Sequence, residues 1–193
     1  SRTYLQCKVC RLTYLDPKFL PDPESEKNRY LLHENNPEDQ GYIRFLDSFL
    51  NPFTQKLKPG QVGLDFGSGP TPVLTNLLRS SGFITTSYDP FFSDDKEALT
   101  KTYDFLCCVE TAEHFHHPSK DWKLMTSLVK PGGWIGVMTE MLTEEISFKT
   151  WHYKSDFTHV CFYSKQTFEW IGREFGLTPE FEGPNKVFFK VGC

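Results

Sequence analysis

The chain has 193 residues, a formal net charge of −4 and 38% hydrophobic residues, enough for one domain with a full core. The acidic balance argues against a large nucleic-acid surface, which needs a basic patch. No apolar run approaches the roughly 20 residues of a membrane helix and no N-terminal signal pattern is visible, so a cytoplasmic protein without membrane contact is expected.

Residues 1–37 read as an irregular extension ahead of a main domain over 38–193, because Asp16-Pro17, Pro21-Asp-Pro23 and Asn35-Asn-Pro37 are turn signals. Within the extension, Cys7-Lys-Val-Cys10 has zinc-ribbon spacing and is framed by Tyr4, Leu12 and Tyr14. One pair supplies only two of the four ligands zinc takes, so a metal-free hairpin is expected and half a ribbon is the alternative. A short helix is predicted over 24–34. A better one over 38–57 puts Tyr42, Phe45, Leu46, Phe49 and Leu50 on one face.

Gln61-Val-Gly-Leu-Asp-Phe-Gly-Ser-Gly-Pro-Thr71 is the most informative stretch. Val62, Leu64 and Phe66 alternate as in a strand, Gly67 and Gly69 permit a tight turn, and 73–78 resumes at helical spacing. Strand, glycine turn and helix form the first unit of a doubly wound, Rossmann-like nucleotide fold. A pyrophosphate-binding turn wants a third glycine, whereas this chain has Pro70 and Thr71 there and Asp65 just before the turn. A carboxylate suits S-adenosylmethionine (SAM), which carries an ammonium and a sulfonium and no phosphate.

A second strand over 83–89 ends in Asp89, 20 residues after Gly69, where a ribose-diol acceptor belongs. A nearly all-apolar third strand covers 103–109, with Cys107 and Cys108 as buried free thiols. Helix is expected over 122–129, and 128–138 is a turn leading into a fourth strand. Ser164 caps a helix that buries Phe168, Ile171 and Phe175 and stops at Gly176. Residues 177–181 and 186–191 form a closing hairpin. Only 13 residues, Pro90 to Thr102, separate the second and third strands.

The ordered series Leu-Asp-Phe-Gly-Ser-Gly, Tyr-Asp-Pro, Tyr-Asp-Phe, Glu-x-x-Glu-His and Leu-Val-Lys-Pro-Gly-Gly resembles the class I SAM-dependent methyltransferases, closest to the group with the ubiquinone-biosynthesis O-methyltransferases. The resemblance implies a mostly parallel α/β sheet with an antiparallel C-terminal hairpin and methyl transfer to a small-molecule hydroxyl. It places Asp65, Gly67, Ser68 and Gly69 on the methionyl end, Asp89 on the ribose and Glu110 beside the sulfonium. The family fits a helix, a strand and a loop where this chain has 90–102, so one edge strand is expected to be missing or short. Residues 90–95 are then expected to loop over the cofactor. Two other classes stay open: a non-catalytic SAM-binding partner protein, and a nucleic-acid methyltransferase recruited through a longer zinc ribbon.

Glu110-Thr-Ala-Glu113-His114 follows the third strand. On a helix starting near Thr111, Glu110, Glu113 and His114 would share one face at i, i+3 and i+4. With His159 from a later segment they could hold Mg²⁺ or Mn²⁺. This set resembles the metal site of the small-RNA 3′-end 2′-O-methyltransferases. His114, and His152 in Trp151-His152-Tyr153, are the candidate proton acceptors.

Overall fold

The computed structural model describes residues 2–32 and 35–192. Strand β1 (Tyr4–Gln6) turns through the Cys7–Cys10 segment into β2 (Thr13–Leu15), and helix α1 (Pro23–Tyr30) follows. Asp22 caps α1 by accepting from the Glu24 and Ser25 amides, and Pro23 occupies the first helical position, where a missing N–H costs nothing. His33 and Glu34, the far end of the helix expected over 24–34, lie outside the described residues.

Helix α2 (Gln40–Thr54) leads to β3 (Val62–Phe66), α3 (Val73–Ser80), β4 (Ile84–Tyr88), β5 (Tyr103–Val109), α4 (Pro118–Ser127) and β6 (Val129–Met138). Short β7 (Cys161–Phe162), α5 (Lys165–Phe175), β8 (Leu177–Glu182) and β9 (Lys186–Val191) complete the chain. The main sheet has six strands in the order β4-β3-β5-β6-β9-β8, with β4, β3, β5 and β6 parallel and the last two antiparallel. Strand β4 is its edge among the described residues. The segment from Pro90 to Thr102 holds one isolated bridge, Asp89 with Ser93, and a 3-10 turn over Lys96–Thr100 in place of a further strand.

Both faces of the sheet are covered, so β5 is apolar apart from Asp104, which pairs with Lys130 near the start of the strand. Phe105 and Cys107 face Phe49 and Phe53 of α2 and Leu74 and Leu78 of α3. Leu106 and Cys108 face Trp122 and Met125 of α4 and Phe168 and Ile171 of α5. A Cβ on Gly136 would stand 2.8 Å from the rings of Phe49 and Phe53, so the bare backbone of β6 lets α2 lie directly on the sheet. Ser164 and Thr167 form a reciprocal capping box, and Gly176 closes α5 in the left-handed conformation.

Three expected boundaries and faces shift. Helix α4 starts at Pro118 and stops before Val129, which instead pairs with Tyr103 in the sheet. Phe175 is half-buried rather than buried. The buried face of α2 runs through Leu46, Phe49, Leu50 and Phe53, while Phe45 is 37% exposed, because the helix axis turns the stripe one position further along.

The N-terminal residues do not stand apart. Strand β2 pairs with β7 to make a second, three-stranded sheet. Leu12 and Leu15 enter the main core, and the Leu15 amide donates to the Val160 carbonyl at 2.8 Å.

Phe53→Ala should cost about 3–5 kcal/mol of stability in urea unfolding, and Phe45→Ala less than about 1 kcal/mol. Equal losses would mean that the packed face of α2 lies elsewhere.

Candidate active site

The parallel strands deliver their carboxyl ends to one rim, and a cavity of about 540 Å³ opens there. The turn after β3 is tied to the end of β4. The amides of Gly67 and Ser68 donate to the Tyr88 carbonyl at 2.8 and 3.1 Å, and the Gly69 amide donates to Asp89 Oδ2 at 2.9 Å. Asp89 Oδ1 accepts from the amides of Phe91 and Phe92 at 2.8 and 3.1 Å. One carboxylate therefore fixes both loops that frame the cavity, and those loops carry Ser68, Pro90 and Phe91 into its wall.

Gly67 has φ +85°, and a Cβ there would meet Thr111 Cγ2 at 2.2 Å. The glycine is thus demanded twice, by the left-handed backbone and by the Thr111 side chain pressed against it. Asp65 is buried and accepts from the Thr75 hydroxyl at 2.7 Å, which anchors α3 to the end of β3. Burial raises its pKa to about 6, against the lowering effect of Thr75.

The acidic cluster is built differently from the helical face expected for it. Residues Ala112–His114 make a single 3-10 turn, and Glu110 stands before it with φ 48°. Glu110, Glu113 and His114 therefore do not lie at i, i+3 and i+4 of an α-helix. Instead Glu113 turns inward and is fully buried, and Val160 donates its amide to the Glu113 carbonyl at 2.8 Å. That bond carries His159 in beside His114, with ring centroids 4.8 Å apart.

Glu113, His114 and His159 present ligand atoms that all lie within 4.8 Å of one another. Glu110 is not in this group. Its Oε2 lies 3.3 Å from the Tyr153 hydroxyl, which itself donates to Glu113 Oε1 and lies 3.1 Å from the Thr139 hydroxyl. His114 Nδ1 faces the Thr158 carbonyl at 3.0 Å and His159 Nδ1 faces the Tyr153 carbonyl at 2.6 Å. A carbonyl only accepts, so each neutral imidazole carries its proton on Nδ1 and its lone pair on Nε2.

Three buried side-chain atoms among the described residues have no hydrogen-bond partner: Ser68 Oγ, Thr85 Oγ1 and Glu113 Oε2. Ser68 and Glu113 both line the main cavity. A buried polar atom without a partner is costly, and these two stand where a bound group would serve them.

His152 is not brought to this site. Its side chain is 80% exposed and faces Glu140 at 3.4 Å, and it lines a separate, more open cavity. The adjacent Tyr153 is the inward residue of that cluster, and sequence reasoning missed it, although its place among Trp151, His152 and His159 was a visible signal. Glu26 and Tyr30 were missed as well. They line the cavity from α1, where Glu26 meets His116 Nε2 at 3.0 Å and Tyr30 packs edge-on against His114 at 5.1 Å.

Residues 38–180 match a family model described as a methyltransferase domain. No curated protein gives a significant match. Among solved structures, an O-methyltransferase family protein from Burkholderia thailandensis superposes with a TM-score of 0.59 at 10% identity, over 87% of this chain and 63% of that one. Human N-acetylserotonin methyltransferase in complex with SAM gives 0.61 at 12% identity, over 90% and 61%. The Burkholderia thailandensis 1,6-didemethyltoxoflavin N1-methyltransferase with bound S-adenosylhomocysteine gives 0.59 at 11% identity over 100% of both chains. This chain thus spans about 63% and 61% of the first two proteins. At such identities the likeness shows the class I methyltransferase fold.

The buried carboxyls make a pH prediction. Burial, reinforced by the charge of Glu113, raises Glu110 from 4.5 to about 9, and burial raises Glu113 to about 7. A carboxyl raised in the folded state binds more protons folded than unfolded, so stability falls as pH climbs from near the unfolded value through the folded ones. In chelator-treated protein the unfolding free energy should decline from about pH 5 to about pH 9, and Glu110→Gln should flatten the upper part of that decline. A profile that rises with pH over this range would show that these carboxyls are ionised without penalty.

Proposed function

From the premise that this chain belongs to the methyltransferase-domain family and performs SAM-dependent methyl transfer, we propose that its acceptor is a hydroxyl of a small molecule, activated at Glu113, His114 and His159. The observation that carries this reading is the buried, unpartnered Glu113 Oε2 beside two imidazoles whose lone pairs sit on Nε2.

SAM supplies a methyl group on a sulfonium, and its transfer needs an aligned nucleophile and removal of that nucleophile's proton. The turn from Gly67 to Gly69 is the cradle for the methionyl end, where the Ser68 hydroxyl has its hydrogen bonds still to make. Asp89 is the ribose acceptor: Oδ1 already takes two amide bonds and Oδ2 one, which fixes the carboxylate in the cavity wall and leaves a lone pair of Oδ2 for a ribose hydroxyl. Phe91 and Tyr30, 5.6 Å apart, wall the space beyond it.

At the acceptor end the donor set of one carboxylate and two imidazoles fits a divalent cation such as Mn²⁺ or Mg²⁺, with Glu113, His114 and His159 as its holders. When bound, such an ion lowers the pKa of an acceptor hydroxyl. Without the ion, Glu113, raised to about 7 by burial, is itself matched to taking a proton near neutral pH. Glu110, protonated at that pH, serves Tyr153 rather than the ion. The acceptor's small size fits a cavity of about 540 Å³ that the cofactor must share.

S-adenosylhomocysteine should bind in the micromolar range, about −7 to −8 kcal/mol by calorimetry. Ser68→Ala should weaken it by about 0.5–1.5 kcal/mol and Asp89→Ala by about 1.5–3 kcal/mol. Unchanged affinity in both would place the cofactor elsewhere.

Turnover of hydroxylated acceptors should fall with chelator and return with Mn²⁺ or Mg²⁺. Glu113→Gln and His159→Ala should lose Mn²⁺ binding while S-adenosylhomocysteine affinity stays within about twofold, since the cofactor contacts lie on other strands. Full activity in chelator, with no Mn²⁺ bound, would remove the ion and leave Glu113 or His114 as the base.

A further inference from the structure

We propose that Arg29 is a positioning residue of the acceptor site: by holding the Asp156 carboxylate, it fixes the turn that presents His159 and sets the proton of His114. This rests on the metal-holding role proposed above for Glu113, His114 and His159. It deepens that role by bringing in α1, which lies outside the matched methyltransferase domain at residues 38–180.

One carboxylate organises the turn over residues 156–159. Asp156 Oδ1 accepts from the Thr158 amide at 3.0 Å and from the Thr158 hydroxyl at 2.7 Å, and the Asp156 carbonyl accepts from the His159 amide at 3.3 Å. Oδ2 accepts from Arg29 Nε at 2.9 Å and Nη2 at 2.7 Å. The two oxygens have separate tasks: one shapes the turn and the other ties it to α1. Thr158, so held, is fully buried, and its carbonyl faces His114 Nδ1 at 3.0 Å. Both imidazoles therefore depend on Asp156. His159 sits in the turn, and His114 takes from it the acceptor that keeps its proton on Nδ1 and its lone pair on Nε2.

The Asp156 side chain is only 11% exposed, and the Arg29 guanidinium brings it both a compensating charge and two N–H groups in a rigid fork. Arg2 grips the same stretch by its backbone, donating to the carbonyls of Phe157 and Lys154 at 2.7 and 3.0 Å. Two guanidinium groups from the N-terminal segment thus clamp the chain just ahead of His159. Tyr30, next to Arg29, packs edge-on against His114 at 5.1 Å, so α1 comes down onto the histidines it orients. An ion pair that merely fastened α1 would leave the imidazoles unchanged when broken. Here, removing the guanidinium takes two charge-assisted bonds from the root of the turn, and the carbonyl on which His114 depends moves with it.

The test reads the imidazoles and the ion separately, in the whole chain. In metal-free protein, proton–nitrogen NMR spectra should show a protonated His114 Nδ1 that resists exchange with solvent. Arg29→Gln should lose that signature and weaken Mn²⁺ binding by about 10- to 100-fold, the usual cost of disturbing what supports a metal ligand, while S-adenosylhomocysteine affinity stays within about twofold. Asp156→Asn should do the same, and the double variant should be no worse than Asp156→Asn alone, because both act on one turn. Arg29→Lys, which restores the charge without the fork, should recover most of the loss. If the unaltered protein binds no Mn²⁺, the ion falls and the His114 signature still decides the role of Arg29. A protected Nδ1 proton that persists in Arg29→Gln would overturn the proposal. So would a variant that loses Mn²⁺ and S-adenosylhomocysteine together with a lowered unfolding midpoint, since the pair would then serve the fold alone.

Discussion

The burial of Glu113 is the constraint on which the rest of the site depends. A carboxyl with no exposure must be protonated, hydrogen-bonded or paired with a cation, and the surrounding structure answers one oxygen and not the other. Oε1 takes the Tyr153 hydroxyl, and Oε2 has no partner. Tyr153 in turn holds His159 through its backbone carbonyl and lies with its ring centroid 4.2 Å from that imidazole. One residue thus sets both the carboxylate and the distal histidine, while the Glu113 backbone returns the service by anchoring Val160. The cluster is preorganised by bonds made among its own members, the arrangement that electrostatic work in a buried site requires.

A second network fixes the end proposed for the cofactor independently. Asp89 accepts three amides from two loops, and Thr111 packs against Gly67 while its hydroxyl bonds the Gly67 carbonyl at 3.2 Å. Thr111 lies between Glu110 and the 3-10 turn that bears Glu113. The glycine cradle and the acidic cluster are consequently adjacent but held by different bonds, so one can be altered with little effect on the other.

The parts of this design that were legible in the sequence are those fixed locally. The β3 strand, its glycine turn and the acid ending β4 announce themselves through alternation, backbone freedom and spacing, and the shortness of 90–102 foretold the missing edge strand. The helical face expected of Glu110, Glu113 and His114 failed because a three-residue 3-10 turn and a left-handed Glu110 carry no sequence period. Nothing local distinguishes Tyr153 from His152, because the phenol's place in the site comes from bonds to residues about 40 positions earlier. The contribution of α1 was equally hidden. Glu26 and Tyr30 sit in a polar, weakly amphipathic helix, and only long-range contacts such as Arg29 with Asp156 at 2.7 Å show why it lies over the cavity.

The central claim is that Glu113 Oε2 and the Nε2 atoms of His114 and His159 converge on one cation beside the cofactor cradle. The most direct test is anomalous difference density in crystals grown with Mn²⁺ and S-adenosylhomocysteine. The account predicts a single strong peak bounded by those three atoms, with Glu110 still on Tyr153 and S-adenosylhomocysteine over Gly67–Gly69. Glu113 Oε2 hydrogen-bonded to a water or a side chain, with no anomalous peak near either imidazole, would contradict it.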